Sequence, residues 1–153
     1  MNDQPLNVIF VCTGNTCRSP MAEAIAKRIA SEFPSLEEKL SFSSAGLATQ
    51  EGEPASAGAV AAMARRGIDL SLHQSRRLTP EMIEAADVVL TMTRSHVTTI
   101  MRGMPSSSGK VRRLSEDTEV PDPFGGDEDD YERTAFVIDG LVRAWMRQYL
   151  VGK

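Results

Sequence analysis

Two hydrophobic periods alternate along the chain. Leu6 to Val11 is a short apolar run rich in β-branched residues, as expected of a strand buried on both faces of a parallel sheet. The period then lengthens. Ala22, Ile25, Ala26, Ile29 and Phe33 share one helical face, with Ser19 as N-cap, Pro20 at the first helical position and Pro34 as the stop. "LSFSSAG", from Leu40 to Gly46, reads as a second strand. Ser56 to Arg66 is an alanine-rich helix stopped by Gly67. Thr79-Pro80 opens a short helix, "DVVLTM" is a third strand, and Ser95 to Met101 is helical. "SSSG" at Ser106 to Gly109 reads as a loop, and "KVRRL" as a fourth strand. Val137, Ile138, Leu141, Val142, Trp145 and Tyr149 form the apolar stripe of a closing helix.

This alternation of strand and helix predicts an α/β fold with a parallel sheet covered on both faces. Ligands of such sheets sit at the carboxyl ends of the strands, beside a switch in strand order. The first strand ends at Cys12, which directs attention to the turn that follows it.

Size and composition change this picture little. A chain of 153 residues suggests one domain, here 1–153. At that length roughly 68–70% of the unfolded surface is buried, so no metal or disulfide staple is required. The net charge of −4 argues against general nucleic-acid binding, and two cysteines are too few for a disulfide framework. "MNDQPL" lacks a basic n-region, the run after it is too short for a signal peptide, and no window is apolar enough to span a membrane. A soluble cytoplasmic protein is therefore expected.

The candidate chemistry lies between the first strand and the first helix: Cys12, Thr13, Gly14, Asn15, Thr16, Cys17, Arg18, Ser19. A helix N-terminus offers unpaired N–H groups and the positive end of a dipole. A loop wrapped in front of it aims further N–H groups into one concavity, which suits an anion. Gly14 permits a tight turn, and Arg18 adds a planar fork for two phosphate oxygens. The same positive field favours Cys12 as a thiolate nucleophile, to which Ser19 can donate a hydroxyl hydrogen bond. The loop lacks the Gly-Lys-Ser/Thr of a nucleotide-binding P-loop. Zinc is not expected: there is no second cysteine pair, and the two histidines are isolated.

"VCTGNTCRSPMAEA" resembles the signature of the low-molecular-weight protein phosphatases. "SSAG", "HQSRRLT", "VVLTMT" and "DPFGG" before the closing helix extend the resemblance over nearly the whole chain. It implies a doubly wound fold with four parallel strands and catalysis through a cysteinyl-phosphate intermediate, with no metal or other cofactor. Its partners would be phosphorylated proteins, with neither nucleic acid nor membrane involved, and a protein kinase would be its counterpart. By the same resemblance Cys12 is the nucleophile, Arg18 holds the phosphoryl oxygens and Asp122 is the general acid and then the general base. Thr13, Gly14, Asn15, Thr16, Cys17 and Ser19 would form the phosphate cradle, with Phe124 as an aromatic wall. Asn15, Ser44 and His73 match a polar network that holds the loop. Cys17 matches a thiol that could resolve oxidised Cys12 to a disulfide; a small packed loop residue is the other reading.

Within the family, Thr16 together with "DPFGG" resembles the bacterial protein-arginine phosphatases, whereas tyrosine phosphatases usually carry an apolar residue at Thr16 and two aromatics after Asp-Pro. A threonine hydroxyl can pair with a guanidinium that isoleucine would leave unpaired, at about 1–3 kcal/mol for each buried group. The acidic run Asp127 to Asp130 could attract a cationic side chain, but it fits better as the N-terminal turn of the closing helix. Phosphoarginine is the expected substrate and phosphotyrosine the alternative. Thr93 and the segment Leu47 to Pro54 depart from tyrosine-specific members. A thioredoxin-coupled arsenate reductase would need cysteines after Cys17, and there are none. A phosphate-binding module without turnover would be expected to have lost Cys12, Arg18 or Asp122.

Overall fold

The computed structural model describes residues 4–150. Four parallel strands, β1 (Leu6–Cys12), β2 (Leu40–Gly46), β3 (Val88–Thr91) and β4 (Val111–Arg113), form one sheet in the order β2-β1-β3-β4. Among the described residues six α-helices accompany them: α1 (Arg18–Ser31), α2 (Pro34–Lys39), α3 (Ala57–Ala64), α4 (Pro80–Ala85), α5 (Arg94–Gly103) and α6 (Glu128–Leu150). From β1 the chain steps outward to β2, then returns past β1 to β3. The carboxyl end of β1, at Cys12, therefore lies at the reversal of strand order, where open α/β sheets bind their ligands.

The alternation of side chains along β1 divides the core. Val8 and Phe10 face α1, α3 and α6, among Met21, Ile25, Ala59, Ile138 and Val142. Ile9 and Val11 face α4 and α5, beside Ile83 and Ile100. Both layers are buried, so β1 is clamped between them. Phe10 is fully buried and stacks on Phe42 with ring centroids 5.9 Å apart. Truncating such a core phenylalanine to alanine costs about 3–5 kcal/mol.

Three elements depart from the sequence-based expectation. The first helix begins at Arg18 with Cys17 at the N-cap, not at Pro20 with Ser19 as cap. The Ser19 hydroxyl is engaged by the loop in front of the helix and is unavailable for capping. Pro34 does not merely end a pattern. It opens α2 after α1 has stopped at Ser31, and Phe33 lies between the two. A proline in the first turn loses only an N–H that would have no helical partner. Pro105–Gly109 is a short 3-10 helix where a loop was expected, with the Ser107 hydroxyl donating to the Met104 carbonyl at 2.6 Å.

Capping elsewhere follows the sequence. Ser56, Thr79 and Thr93 each accept a backbone N–H from the first turn of α3, α4 and α5. At α6, Asp127 and Asp130 exchange bonds: Asp130 N donates to Asp127 Oδ1 at 2.9 Å, and Asp127 N to Asp130 Oδ2 at 3.0 Å. This reciprocal cap accounts for much of the acidic run and holds the Asp130 carboxyl below its ordinary range. Gly58 lets α3 approach α6, since a Cβ there would fall 2.3 Å from the Tyr131 ring. Among the described residues, no helix is long and apolar enough to cross a membrane.

Candidate active site

The loop from Thr13 to Cys17 turns back over the end of β1. Asn15 makes the turn with φ of 55°, the left-handed region that asparagine tolerates better than most residues. Gly46, paired with Cys12 in the sheet, leaves room for it. A Cβ on Gly46 would lie 2.9 Å from both the Asn15 Cβ and the Thr13 carbonyl oxygen.

Three donors converge on the Cys12 sulfur. Asn15 N lies 3.3 Å from Sγ, Ser19 N 3.4 Å and Ser19 Oγ 3.0 Å. Cys12 is buried, so bulk water contributes little to stabilising the sulfur. Two amides and a hydroxyl, from the loop and the first turn of α1, are suited to stabilise negative charge or a phosphoryl group on the sulfur.

Proton bookkeeping fixes the direction of the supporting network. The Glu23 carboxylate can only accept, so Ser44 Oγ donates to Glu23 Oε1 at 2.7 Å. Ser44 Oγ then accepts from Asn15 Nδ2 at 3.0 Å. The second Asn15 amide proton goes to Ser19 Oγ at 2.8 Å. Asn15 Oδ1 accepts from Arg76 N at 2.9 Å, which settles the orientation of the amide. Accepting from Asn15, Ser19 Oγ keeps its own proton to donate, and Cys12 Sγ at 3.0 Å is nearer than the Ala45 carbonyl at 3.5 Å. From the other side, His73 Nε2 donates to the Asn15 carbonyl at 2.7 Å.

Arg18 is buried at the first position of α1. Its Nη1 donates to the Val120 carbonyl at 3.0 Å, and Nη2 lies 3.5 Å from Thr13 Oγ1 and 3.6 Å from Asp122 Oδ2. Asp122, half-exposed, also accepts from Phe124 N at 3.1 Å, which tightens the turn that carries it. Cys12, Thr13, Gly14, Thr16, Cys17, Arg18, Asp122 and Phe124 line one cavity of about 200 Å³. The cysteine, guanidinium and carboxylate expected from two widely separated sequence segments thus face one space, with the exposed Phe124 ring on its wall.

Cys17 is buried and unbridged. Its sulfur lies 3.2 Å from Ser56 Oγ and 3.5 Å from Tyr131 Oη. Burial first, and the Cys17 contact second, push the Tyr131 hydroxyl above its usual range. Three further residues of the site were not singled out from the sequence: Glu23, Arg76 and His96. The first two close the network around Asn15, and His96 Nε2 lies 3.0 Å from Thr13 Oγ1. Glu23 stands within the signature stretch, but nothing in the spacing shows that it reaches Ser44. Among the described residues there is no cluster of three or more His, Cys, Asp or Glu side chains placed to hold a metal ion.

A family model described as "Low molecular weight phosphotyrosine protein phosphatase" matches residues 7–151. The protein-arginine-phosphatase of Bacillus subtilis is 40% identical over 148 residues, spanning 94% of this chain and 96% of that protein. The low molecular weight protein-tyrosine-phosphatase Ptp of Acinetobacter johnsonii is 34% identical over 143 residues, spanning 92% of this chain and 96% of its own length. Among solved structures, the YwlE arginine phosphatase, as a cysteine-to-serine mutant with a phosphorylated active-site serine, superposes with a TM-score of 0.89 at 37% identity. That match covers 97% of this chain and 98% of the other.

Proposed function

The chain belongs to the low molecular weight phosphotyrosine protein phosphatase family, and from that membership we propose that it hydrolyses phosphoarginine in proteins, with Cys12 as nucleophile. It is a cysteine-based protein phosphatase. The arginine reading is carried by one observation: Thr16, a residue with a hydroxyl, lines the same cavity as Cys12, Arg18 and Asp122. The Bacillus subtilis relative, at 40% identity, supports the reading. The Acinetobacter johnsonii relative makes tyrosine the alternative that the assay must address.

The substrate phosphoryl group enters the cradle in front of α1, where backbone N–H groups and the Arg18 guanidinium bind its oxygens. The Cys12 thiolate attacks phosphorus, so the S–P bond forms as the P–N bond of phosphoarginine breaks. Asp122 delivers its proton to the departing guanidine nitrogen. Water then attacks phosphorus and gives a proton to the Asp122 carboxylate. Inorganic phosphate leaves and the Cys12 thiolate returns. Ser19 and the two amides carry the negative charge whenever it rests on sulfur. Arg18 is anchored on Val120 and Thr13 before substrate arrives, so little reorganisation is needed on binding. The phosphorylated serine in the YwlE mutant supports a covalent phosphoenzyme here.

The deciding experiment compares phosphate release from a phosphoarginine protein and a phosphotyrosine peptide, with Cys12→Ser as the blank. The expected result is a much larger kcat/KM on phosphoarginine. Equal rates, or a preference for phosphotyrosine, would overturn the specificity while leaving the phosphatase chemistry intact. Cys17 is proposed as a resolving thiol for oxidised Cys12. Peroxide inactivation that thiol does not reverse, without a Cys12–Cys17 crosslink in mass spectra, would refute that role.

A further inference from the structure

His96 sits in the first turn of α5, 83 positions from the loop residue it touches, and is 4% exposed. Its Nε2 lies 3.0 Å from Thr13 Oγ1, while its Nδ1 is buried with no hydrogen-bond partner. Burial, reinforced by the Arg18 guanidinium and opposed by Glu119 and Asp122, lowers its pKa to about 4. The ring is therefore neutral at ordinary pH and carries one proton. An orphaned N–H is rarer and less tolerable in a protein interior than an orphaned lone pair. The proton consequently belongs on Nε2, which donates to Thr13 Oγ1.

Thr13 Oγ1 then faces two N–H groups, from His96 at 3.0 Å and from Arg18 Nη2 at 3.5 Å. Both lone pairs are engaged, and the hydroxyl proton is left over. Thr13 is exposed on the lining of the phosphate cavity, so that proton has the cavity as its outlet. We propose that His96 is a positioning residue that holds Thr13 as a fixed hydroxyl donor to a phosphoryl oxygen at the cavity mouth. The opposite tautomer would make Thr13 donate to His96 and present no proton to the ligand. The proposal rests on the phosphatase reading and adds to it a donor relayed from outside the phosphate loop.

The test compares His96→Gln, His96→Asn, His96→Leu, Thr13→Val and the His96→Leu/Thr13→Val double variant. Each is assayed for p-nitrophenyl phosphate kinetics and for inorganic phosphate as a competitive inhibitor. A glutamine amide nitrogen overlays imidazole Nε2, whereas an asparagine nitrogen overlays Nδ1. His96→Leu and His96→Asn are expected to weaken phosphate binding and raise KM about tenfold, the scale of one hydrogen bond, with a smaller change in kcat. His96→Gln should recover most of the loss, and His96→Leu should add nothing in the Thr13→Val background. The ring ¹⁵N shifts of wild-type His96 should report the Nε2–H tautomer, a measurement that stands even where a variant fails to fold.

Wild-type affinity in His96→Leu, rescue by asparagine rather than glutamine, additive losses in the double variant, or an Nδ1–H tautomer would each overturn the proposal. Wild-type protein inert toward p-nitrophenyl phosphate would instead overturn the phosphatase reading, and the proposal with it.

Discussion

The backbone N–H of Asn15 lies 3.3 Å from Cys12 Sγ, and the same residue's side chain bonds Ser19, whose hydroxyl lies 3.0 Å from that sulfur. One residue therefore governs two of the three donors to the Cys12 sulfur. It does so from a φ of 55°. The two demands can be separated. Asn15→Gly keeps the left-handed turn and loses the amide, whereas Asn15→Ala loses the amide and strains the turn as well. With Ser19 and Ser44 left short of a donor, Asn15→Gly is expected to lower kcat roughly tenfold, the scale of about 1–3 kcal/mol for an unmet buried partner. Asn15→Ala should lose more and also lower Tm. Steady-state kinetics and thermal unfolding of the pair decide this. Equal Tm values would show that the positive φ carries no cost.

Gly46 tests the same loop from beneath. A Cβ at Gly46 would sit 2.9 Å from the Thr13 carbonyl oxygen and 3.0 Å from Asn15 N, both backbone atoms. The loop must shift for alanine to fit, and overpacking of this kind costs about 1–3 kcal/mol. Gly46→Ala should fold with reduced Tm and lose activity out of proportion to its stability, because the displaced atoms include an amide that faces Cys12 Sγ. A crystal structure with an unmoved loop and wild-type kcat would contradict this.

Spacing was enough to find Cys12, Arg18 and the strand-to-helix turn, because these are neighbours in sequence and the hydrophobic period changes between them. Asp122 was legible only through the resemblance of "DPFGG"; as a local signal it reads as a turn. Glu23, Arg76 and His96 were out of reach because each acts through a partner far along the chain. The start of α1 at Arg18 differs from its local signal for a related reason. Ser19 has the chemistry of an N-cap, but its hydroxyl is engaged by Asn15 and Cys12, so tertiary contacts override the local preference.

Asp122 lies 3.6 Å from Arg18 Nη2 and is half-exposed, a location consistent with proton exchange with a leaving group. If it protonates that group, Asp122→Asn should affect poor leaving groups more than good ones. The expected loss in kcat/KM is about 10²–10⁴-fold for phosphoarginine protein, the usual range for a general acid, and much less for p-nitrophenyl phosphate, whose phenolate leaves without help. A uniform loss across leaving groups would assign Asp122 to holding Arg18 instead.

Thr16 lines the cavity and its carbonyl accepts from Ser56 N at 2.9 Å, so its backbone is fixed independently of its side chain. Thr16→Ile should preserve the loop and change only the lining. The expected result is a lower kcat/KM on phosphoarginine protein, by about tenfold for an unpaired guanidinium donor, with aryl phosphate hydrolysis retained or increased. An equal fall on both substrates would remove Thr16 as the determinant.

His96 also makes a prediction for stability against pH. Its folded pKa is about 4, below the ordinary 6.5, because burial and Arg18 disfavour the imidazolium while Glu119 and Asp122 only partly oppose them. Between pH 6.5 and 4 the unfolded chain binds a proton that the folded protein refuses. Stability from this group is therefore intact above pH 6.5 and falls as the pH drops toward 4. The slope has a ceiling of about 1.4 kcal/mol per pH unit for one proton, reduced by solvent screening at the open side of the site. Carboxylates titrate in the lower part of the same window, so the comparison is with His96→Gln, which keeps a donor for Thr13 but cannot protonate. Denaturant unfolding at a series of pH values should show a shallower decline for His96→Gln than for wild type across the window. Parallel curves would mean that His96 takes up its proton in the folded protein at the same pH as in the unfolded chain.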